Sequence, residues 1–233
     1  MSSALVQVGD VIAASAALAS AGLGDMIWGH ASVRDAEGRG VWMKAAGYGF
    51  EEVDSDRVLL VSWSGEVLAG VGRRHLEYPI HTQLYLARPD VNAIVHTHAP
   101  AFAAFASLDQ VLRPLSHDAV PFTDPPLPRL TAVTGSLIST PGLGDAVADA
   151  LGASNGILLP SHGAVTVGAD TAAAVMYSVL LERACRTQLT ALAAGGPKVW
   201  SDEQETARKR DEVWNEAQLD AGFAYLVRQG ASL

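Results

Sequence analysis

Three histidines and one glutamate are the residues of this sequence best suited to act together. His96 and His98 flank Thr97 at the end of an apolar run, Ala93-Ile94-Val95. Extended backbone alternates its side chains, so both imidazoles would share one face and could grip a single ion. His162 stands in the turn Ser161-His162-Gly163, where glycine permits a tight bend and close approach. It could complete a three-imidazole set that leaves a position open for water or substrate. Such a set takes a divalent ion, and Zn2+, Mn2+, Fe2+ and Co2+ all suit it. An H-x-H pair alone serves equally well as two histidines closing a strand end. Seven histidines in 233 residues also bring some together by chance.

Glu77 is the candidate proton-transfer group. A carboxylate at a helix N-terminus is favoured by the helix dipole, so a capping role is one reading. The other is a general acid/base beside the ion, able to ligate it when no substrate is bound. His81 lies four residues on, on the same helical face. It reads either as a hydrogen-bond partner behind a ligand or as a core histidine. The single cysteine, Cys185, sits in a helix-like stretch. It can make no intramolecular disulfide, which fits a reducing compartment, and it reads as a buried thiol.

The elements that must hold these residues follow from pattern and punctuation. A helix is expected over about 7–22. Val41–Lys44 and Arg57–Ser62 read as strands, and Ser64-Gly65 turns the second into Glu66–Ala69 as a hairpin. A helix from about Glu77 to Arg88 tolerates Pro79 in its first turn and stops at Pro89. Ala93–His98 is a strand, and Ala99–Leu108 a short helix. Residues 113–130, with five prolines, read as an irregular surface-crossing loop. Helix Leu143–Leu151 precedes strands Gly156–Pro160 and Ala164–Val167, which flank the His162 turn. Asp170 would cap a long helix, Thr171–Ala194, that ends at Gly195-Gly196-Pro197. A last helix is expected over Asp202–Arg228. Hairpin-like connections and the lack of a glycine-rich dinucleotide fingerprint point to a mixed α/β domain, not a parallel doubly wound sheet. The length allows one full-sized domain, residues 1–233.

The chain is 49% hydrophobic and 18% charged, with a net charge of −9. Without a basic footprint a nucleic-acid partner is not expected, and an anionic substrate needs locally placed cations. The apolar segment Val11–Leu23 follows Asp10 with no preceding Lys or Arg. It therefore lacks the basic flank of a signal peptide, and it is too short to span a bilayer. A cytoplasmic protein without a membrane partner is expected.

The residues in their order resemble the class II aldolase/adducin family from Leu18 to about Gly196. The resemblance is carried by Gly29-His30-Ala31-Ser32-Val33-Arg34, by Glu77 with His81, and by the run Ala87-Arg88-Pro89-Asp90-Val91-Asn92-Ala93-Ile94-Val95-His96-Thr97-His98. It continues through Leu158-Leu159-Pro160-Ser161-His162-Gly163 and Leu181-Glu182-Arg183-Ala184. The interval of 19 residues between Glu77 and His96 matches that between the family's catalytic carboxylate and first ligand. The resemblance implies a three-layer α/β/α fold around a mostly antiparallel sheet. It implies a homotetramer with active sites at subunit interfaces. It also implies a metal on His96, His98 and His162 with Glu77 as acid/base, and carbon–carbon lyase chemistry.

Sugar-phosphate aldolases of that family usually carry Gly-Asn before the serine of the first motif, small hydroxyl residues in the next loop, and Ser-Ser before the catalytic glutamate. Here His30, Lys44-Ala45-Ala46-Gly47 and His75-Leu76 stand in those places. Phosphate recognition needs convergent small donors, and these changes remove them. Imidazoles and cations replace them: His30, Lys44, Arg73, Arg74 and His75. With Ser32 they are the candidate contacts to a small anionic substrate, Arg being suited to a carboxylate. Lys44 and the arginines read equally as solvated loop cations. The pattern resembles the branch that decarboxylates hydroxylated aromatic dicarboxylates, of the dihydroxyphthalate or hydroxypyridine-dicarboxylate kind. An aldolase or epimerase for a small hydroxy-acid or sugar phosphate, and a non-catalytic adducin-like scaffold, are the alternatives.

Overall fold

The structure is a computed structural model that describes residues 3–230. The chain opens with helix α1, Ser3–Ser20, and then lays down strands β1, His30–Arg34, β2, Gly40–Lys44, β3, Val58–Ser62, and β4, Val67–Ala69. Helix α2, Tyr78–Ala87, leads into β5, Ala93–Thr97, and helix α3, Pro100–Ala106. Helix α4, Pro141–Leu151, precedes β6, Gly156–Leu159, and β7, Gly163–Gly168. Helices α5, Thr171–Ala193, α6, Glu203–Val213, and α7, Glu216–Gly230, complete it.

The seven strands form one sheet in the order β4-β3-β2-β1-β5-β7-β6. Every neighbouring pair is antiparallel. Strand alternation splits the core into two faces. Val41, Met43, Leu59, Val61, Ile94, Val165 and Val167 pack with Ile80, Leu84 and Tyr85 of α2 and with Val147 and Leu151 of α4. On the other face Ala31, Val95, Leu158 and Ala164 meet Leu18 of α1, Phe102 and Phe105 of α3, and Val175, Leu180 and Leu181 of α5. This is a three-layer α/β/α arrangement around an antiparallel sheet, as the sequence led one to expect. Burying a side chain the size of Leu or Phe is worth about 1.5–3 kcal/mol, so these two faces supply most of the driving force.

One contact fixes α2 over β1. Arg34 at the end of β1 donates from Nε to Val91 O at 2.9 Å and from Nη2 to Tyr85 O and Arg88 O, both at 2.8 Å. Tyr85 O, whose next-turn residue Pro89 has no N–H to offer, gains its partner in this way. The guanidinium thereby clamps that end of the helix to the sheet and sets its inward face above the strands.

Helix α1 is the one described helix long and apolar enough, by length and composition, to cross a membrane. Here it packs on the sheet and on α5 and α7, with Val11, Ala14, Ala17 and Leu18 buried.

Most expected elements lie within a few residues of their observed bounds. The hairpin between β3 and β4 turns at Gly65, φ +88°, and Asp170 caps α5 by accepting from Ala173 N at 2.8 Å. Two expectations differ. Strand β1 was not signalled as an element, because His-Ala-Ser-Val-Arg is buried on both faces and shows no alternation of polarity. The single helix expected over 202–228 is two helices. Asn215 Oδ1 accepts from Gln218 N at 3.2 Å and so caps a new helix, while Trp214 Nε1 donates to His117 O at 2.7 Å. Asparagine favours such a cap over a helix interior. The proline-rich stretch is irregular apart from a 3-10 turn, His117–Phe122, and it runs into the core as well as over the surface, with Ala119, Phe122 and Leu127 buried there.

Candidate metal centre

Six of the seven histidines gather at one end of the sheet. Strand β5 delivers His96, and the backbone leaves the strand at Thr97, so His98 belongs to the following loop. The two rings stand edge to face, with Nε2 atoms 2.9 Å apart. His162 comes from the tight turn between β6 and β7. That turn places Ser161 at φ +59° and brings His162 N to Leu159 O at 3.1 Å. Gly163 permits the approach: a Cβ there would lie 2.3 Å from Thr97 O and 3.0 Å from His98 Cδ2. The His162 ring then stacks on His98 with centroids 5.0 Å apart and meets His96 edge-on at 4.9 Å.

Glu77 sits just before α2. Its side chain does not cap that helix. Oε1 instead accepts from Ile138 N at 2.7 Å, while Oε2 lies 3.4 Å from His162 Nε2 and 3.6 Å from His96 Nε2. One ligand atom from each of Glu77, His96, His98 and His162 falls within 4.8 Å of all the others. Burial alone would raise the Glu77 pKa; the His162 and His96 imidazoles beside Oε2 outweigh it and hold the carboxyl below its ordinary range. The competition between burial and neighbouring charge is therefore decided for the ionised form.

The donor set fits a divalent cation. His96 Nδ1 lies 3.0 Å from Ala164 O, and His98 Nδ1 lies 2.6 Å from Asp25 Oδ2. Both partners are acceptors, so both Nδ1 atoms carry the proton and both Nε2 atoms present lone pairs. Two bare nitrogens facing each other at 2.9 Å repel unless a positive charge lies between them. His162 Nε2 is buried without a hydrogen-bond partner. Three imidazoles and one carboxylate converging in this way are the donors of a Zn2+-type site.

The surroundings sort the other candidate residues. His30, opposite His96 in the β1–β5 register, has its ring centroid 4.9 Å from that of His96 and 4.4 Å from that of His75. His81 reaches up from α2 to within 2.6 Å of His30 Nδ1. Ser32 is buried one step further back. Its hydroxyl is engaged by His81 at 2.6 Å and Tyr85 at 3.0 Å, so it supports His30 and is not itself presented to a substrate. Lys44 is fully buried. Its ammonium donates to Tyr48 O and, at 3.3 Å, to Ile27 O, and burial lowers its pKa to about 8. Arg74 is drawn away: its guanidinium donates to Gly65 O and His75 O and lies over the Tyr78 ring at 4.0 Å. Arg73 is exposed. The cations expected to clasp an anionic substrate are thus tied to backbone carbonyls or face solvent. Imidazole is what surrounds the His/Glu cluster. A cavity of about 1030 Å³ between residues 111–126 and 200–210 contains none of these side chains.

Two participants carried no signal in the sequence. Asp25 lies in the loop after α1, with no spacing relation to any histidine. The Ile138 amide belongs to a loop that is also tied to the His162 turn by Gly135 N donating to Pro160 O at 3.1 Å.

The antiparallel three-layer fold and the His/Glu cluster together describe a class II aldolase-type protein. In agreement, residues 9–189 match the Class II Aldolase and Adducin N-terminal domain family, and the chain belongs to that family. Among curated relatives, Decarboxylase NovR of Streptomyces niveus is 33% identical over 159 residues, covering 67% of this chain. The chain spans little more than half of that relative, 58% of its length. The 3,4-dihydroxyphthalate decarboxylase of Arthrobacter keyseri is 30% identical over 193 residues, 77% of this chain and 76% of that protein. Among solved structures, L-fuculose 1-phosphate aldolase from Glaciozyma antarctica PI12 superposes with a TM-score of 0.83 at 27% identity, over 97% of this chain and 88% of that one.

Proposed function

We propose that this protein is a metal-dependent carbon–carbon lyase that decarboxylates a hydroxylated aromatic carboxylate. The observation that carries the reading is the convergence of His96, His98, His162 and Glu77 within 4.8 Å of one another. Two further facts favour decarboxylation over phosphosugar cleavage. The positions that would cradle a phosphate are filled by His30 and His75, both buried, and two relatives carry the name decarboxylase.

His96, His98 and His162 would hold the ion, with Glu77 completing the set before substrate arrives. A divalent ion there supplies Lewis-acid polarisation of a chelated oxygen. The protein supplies position and proton transfer. Glu77, ionised at rest, takes the proton of the substrate's phenolic hydroxyl on Oε2 while Ile138 N–H holds Oε1. Cleavage of the bond between ring and carboxyl carbon releases CO2 and leaves its electron pair on the ring. Glu77 then returns its proton to that carbon, so the carboxylate is regenerated and atoms balance. Retro-aldol cleavage requires the same proton shuttle, which keeps an aldolase for a hydroxy-acid or sugar phosphate as the second reading.

The reading includes assembly. The loops bearing Asp25, His75–Glu77 and Ile138 expose Met26 (68%), Trp28 (51%), Leu76 (64%) and Leu137 (55%). Such an apolar rim suits a neighbouring copy closing over the site, as in a homotetramer. The deciding experiment incubates Zn2+-, Mn2+-, Fe2+- or Co2+-loaded protein with hydroxylated aromatic mono- and dicarboxylates and, separately, with phosphorylated ketoses. Metal-dependent CO2 release from the first group supports the proposal. Aldehyde release from the second, without CO2 from the first, replaces it with the aldolase reading.

A further inference from the structure

A cleft of about 1030 Å³ opens between the segment after α3 and the start of α6, and no member of the His/Glu cluster lines it. Its volume stands at the upper end of the roughly 300–1,000 Å³ usual for small-molecule sites. Its frame is tethered through backbone. The buried side chain of Gln188, on α5, accepts from Arg113 N at 2.7 Å and donates to Val111 O at 2.8 Å. Ser201 N donates to Pro114 O at 3.3 Å, which holds the adjoining Trp200 beside the same segment.

One cation in this cleft is unspent. The Arg113 guanidinium lies over the Trp200 ring, 4.0 Å from its centroid. Among the described residues, no carboxylate or carbonyl is bonded to that guanidinium. A guanidinium stacked on an indole keeps its planar N–H edge open, and that edge takes a carboxylate in two parallel hydrogen bonds. The other charges are committed elsewhere or exposed. Arg210 forks to Asp124 Oδ2 at 3.3 and 3.4 Å. Asp202 Oδ1 caps α6 by accepting from Glu205 N at 2.7 Å, and Glu203 is exposed.

The α6 wall is short of acceptors. Thr206 Oγ1 and Arg210 Nε are both buried without a hydrogen-bond partner, and Thr206 is only 5% exposed. Both groups can donate, and buried donors are almost always paired. Between these polar points the cleft is apolar, with Val111, Pro114, Pro126 and the Trp200 ring on its walls. A net charge of −9 draws in no anion by the field of the whole chain, so an anion must be paired locally. One open guanidinium without convergent small donors is poorly matched to a phosphate. Flat apolar walls favour rings.

We propose that this cleft is a binding site for a flat aromatic carboxylate of two or more rings, its carboxylate paired with Arg113 and its rings laid along the apolar wall beside Trp200. The site stands on Arg113, Trp200 and the α6 wall alone and does not depend on the lyase reading.

The test uses full-length Zn2+-loaded protein, nitrogen-labelled at tryptophan, with the Trp200 indole signal assigned through Trp200→Phe. Because none of the metal-centre side chains lines the cleft, that signal reports this site. Naphthoate should move it saturably. Naphthalenemethanol, a neutral molecule of like shape, should bind about tenfold or more weakly, the loss of one charge-assisted pair. Arg113→Gln, which removes no side-chain hydrogen bond of the fold, should weaken naphthoate by the same factor. An unmoved Trp200 signal overturns the proposal, including the case in which naphthoate binds only at the metal centre. Equal affinity for the acid and the alcohol, or for the Arg113→Gln variant and the parent, also overturns it and leaves an apolar cleft without an anion site.

Discussion

The carboxylate of Asp25 lies 2.6 Å from Nδ1 of His98, and this contact turns the opposite nitrogen of the ring toward His96. A carboxylate behind a ligating imidazole fixes its tautomer and raises its basicity. Asp25→Asn should therefore weaken Zn2+ binding about 10–100-fold, as read by competition with a calibrated chelator. Unchanged affinity would remove Asp25 from the site.

The proton shuttle proposed for Glu77 and its bond to the Ile138 amide can be separated by substitution. Glu77→Gln keeps an oxygen for Ile138 N–H but cannot shuttle a proton. It should retain metal while turnover falls roughly 10²–10⁴-fold. Glu77→Ala also abandons the Ile138 amide, now 2.7 Å from its acceptor, and should cost about 1–3 kcal/mol of stability. Metal content, single-turnover rates and chemical denaturation distinguish the two variants. A Gln variant with full activity would leave Glu77 a purely structural carboxylate.

Removing metal should loosen the fold around the cluster. Ligand lone pairs held 2.9 Å apart are stable together only with positive charge between them. Saturating ion at a hundred times its dissociation constant would add about 2.7 kcal/mol. Chelation should lower the melting temperature. A melting curve indifferent to chelator would argue against a metal in this place.

The turn before β7 is sterically closed. Gly163→Ala would drive a methyl to 2.3 Å from Thr97 O, so β7 must shift away from β5 and carry His162 with it. Both stability and metal affinity should fall. Ser161, at φ +59°, offers the converse: Ser161→Gly relieves roughly 1 kcal/mol of left-handed strain and should leave metal binding intact.

Away from the site, Asp35 reports on acid stability. Hydrogen bonds from Arg39, joined by the Trp42 indole at 2.9 Å, outweigh burial and lower its pKa to about 2. An ordinary aspartate titrates near ~3.9, so the unfolded chain binds this proton more readily than the folded one. The stabilisation is complete above that ordinary value and is lost as pH falls through about 2. Asp35→Asn should be less stable at neutral pH by about 2 kcal/mol and should flatten the acid limb of the stability profile. An unaltered limb would place the acid-sensitive group elsewhere.

How much of this was legible in the sequence depends on how each residue is held. The convergence of His96, His98, His162 and Glu77 was legible because a strand end, a glycine turn and ordered motifs are local signals. Local pattern gave a mixed α/β domain without β1 or the cap at Asn215, and the three-layer arrangement was legible only through the family resemblance. Asp25 and the Ile138 amide were not, since each reaches the cluster through a loop whose path no local pattern records. Charge also misled: Arg74 and Lys44 looked available for an anion, yet backbone carbonyls had already claimed them. A sequence counts cations without saying which have spent their protons.

Pairing His30 directly across from His96 has a further consequence. One face of β1 carries both His30 and Ser32, so a one-residue slip against β5 would swing them together to the helix α5 side. The neighbour of His96 and the serine behind it would leave the cluster in a single event. Damage to that strand pair should consequently appear as a mixture of fully competent and wholly inert molecules, with no gradual decline in the quality of each.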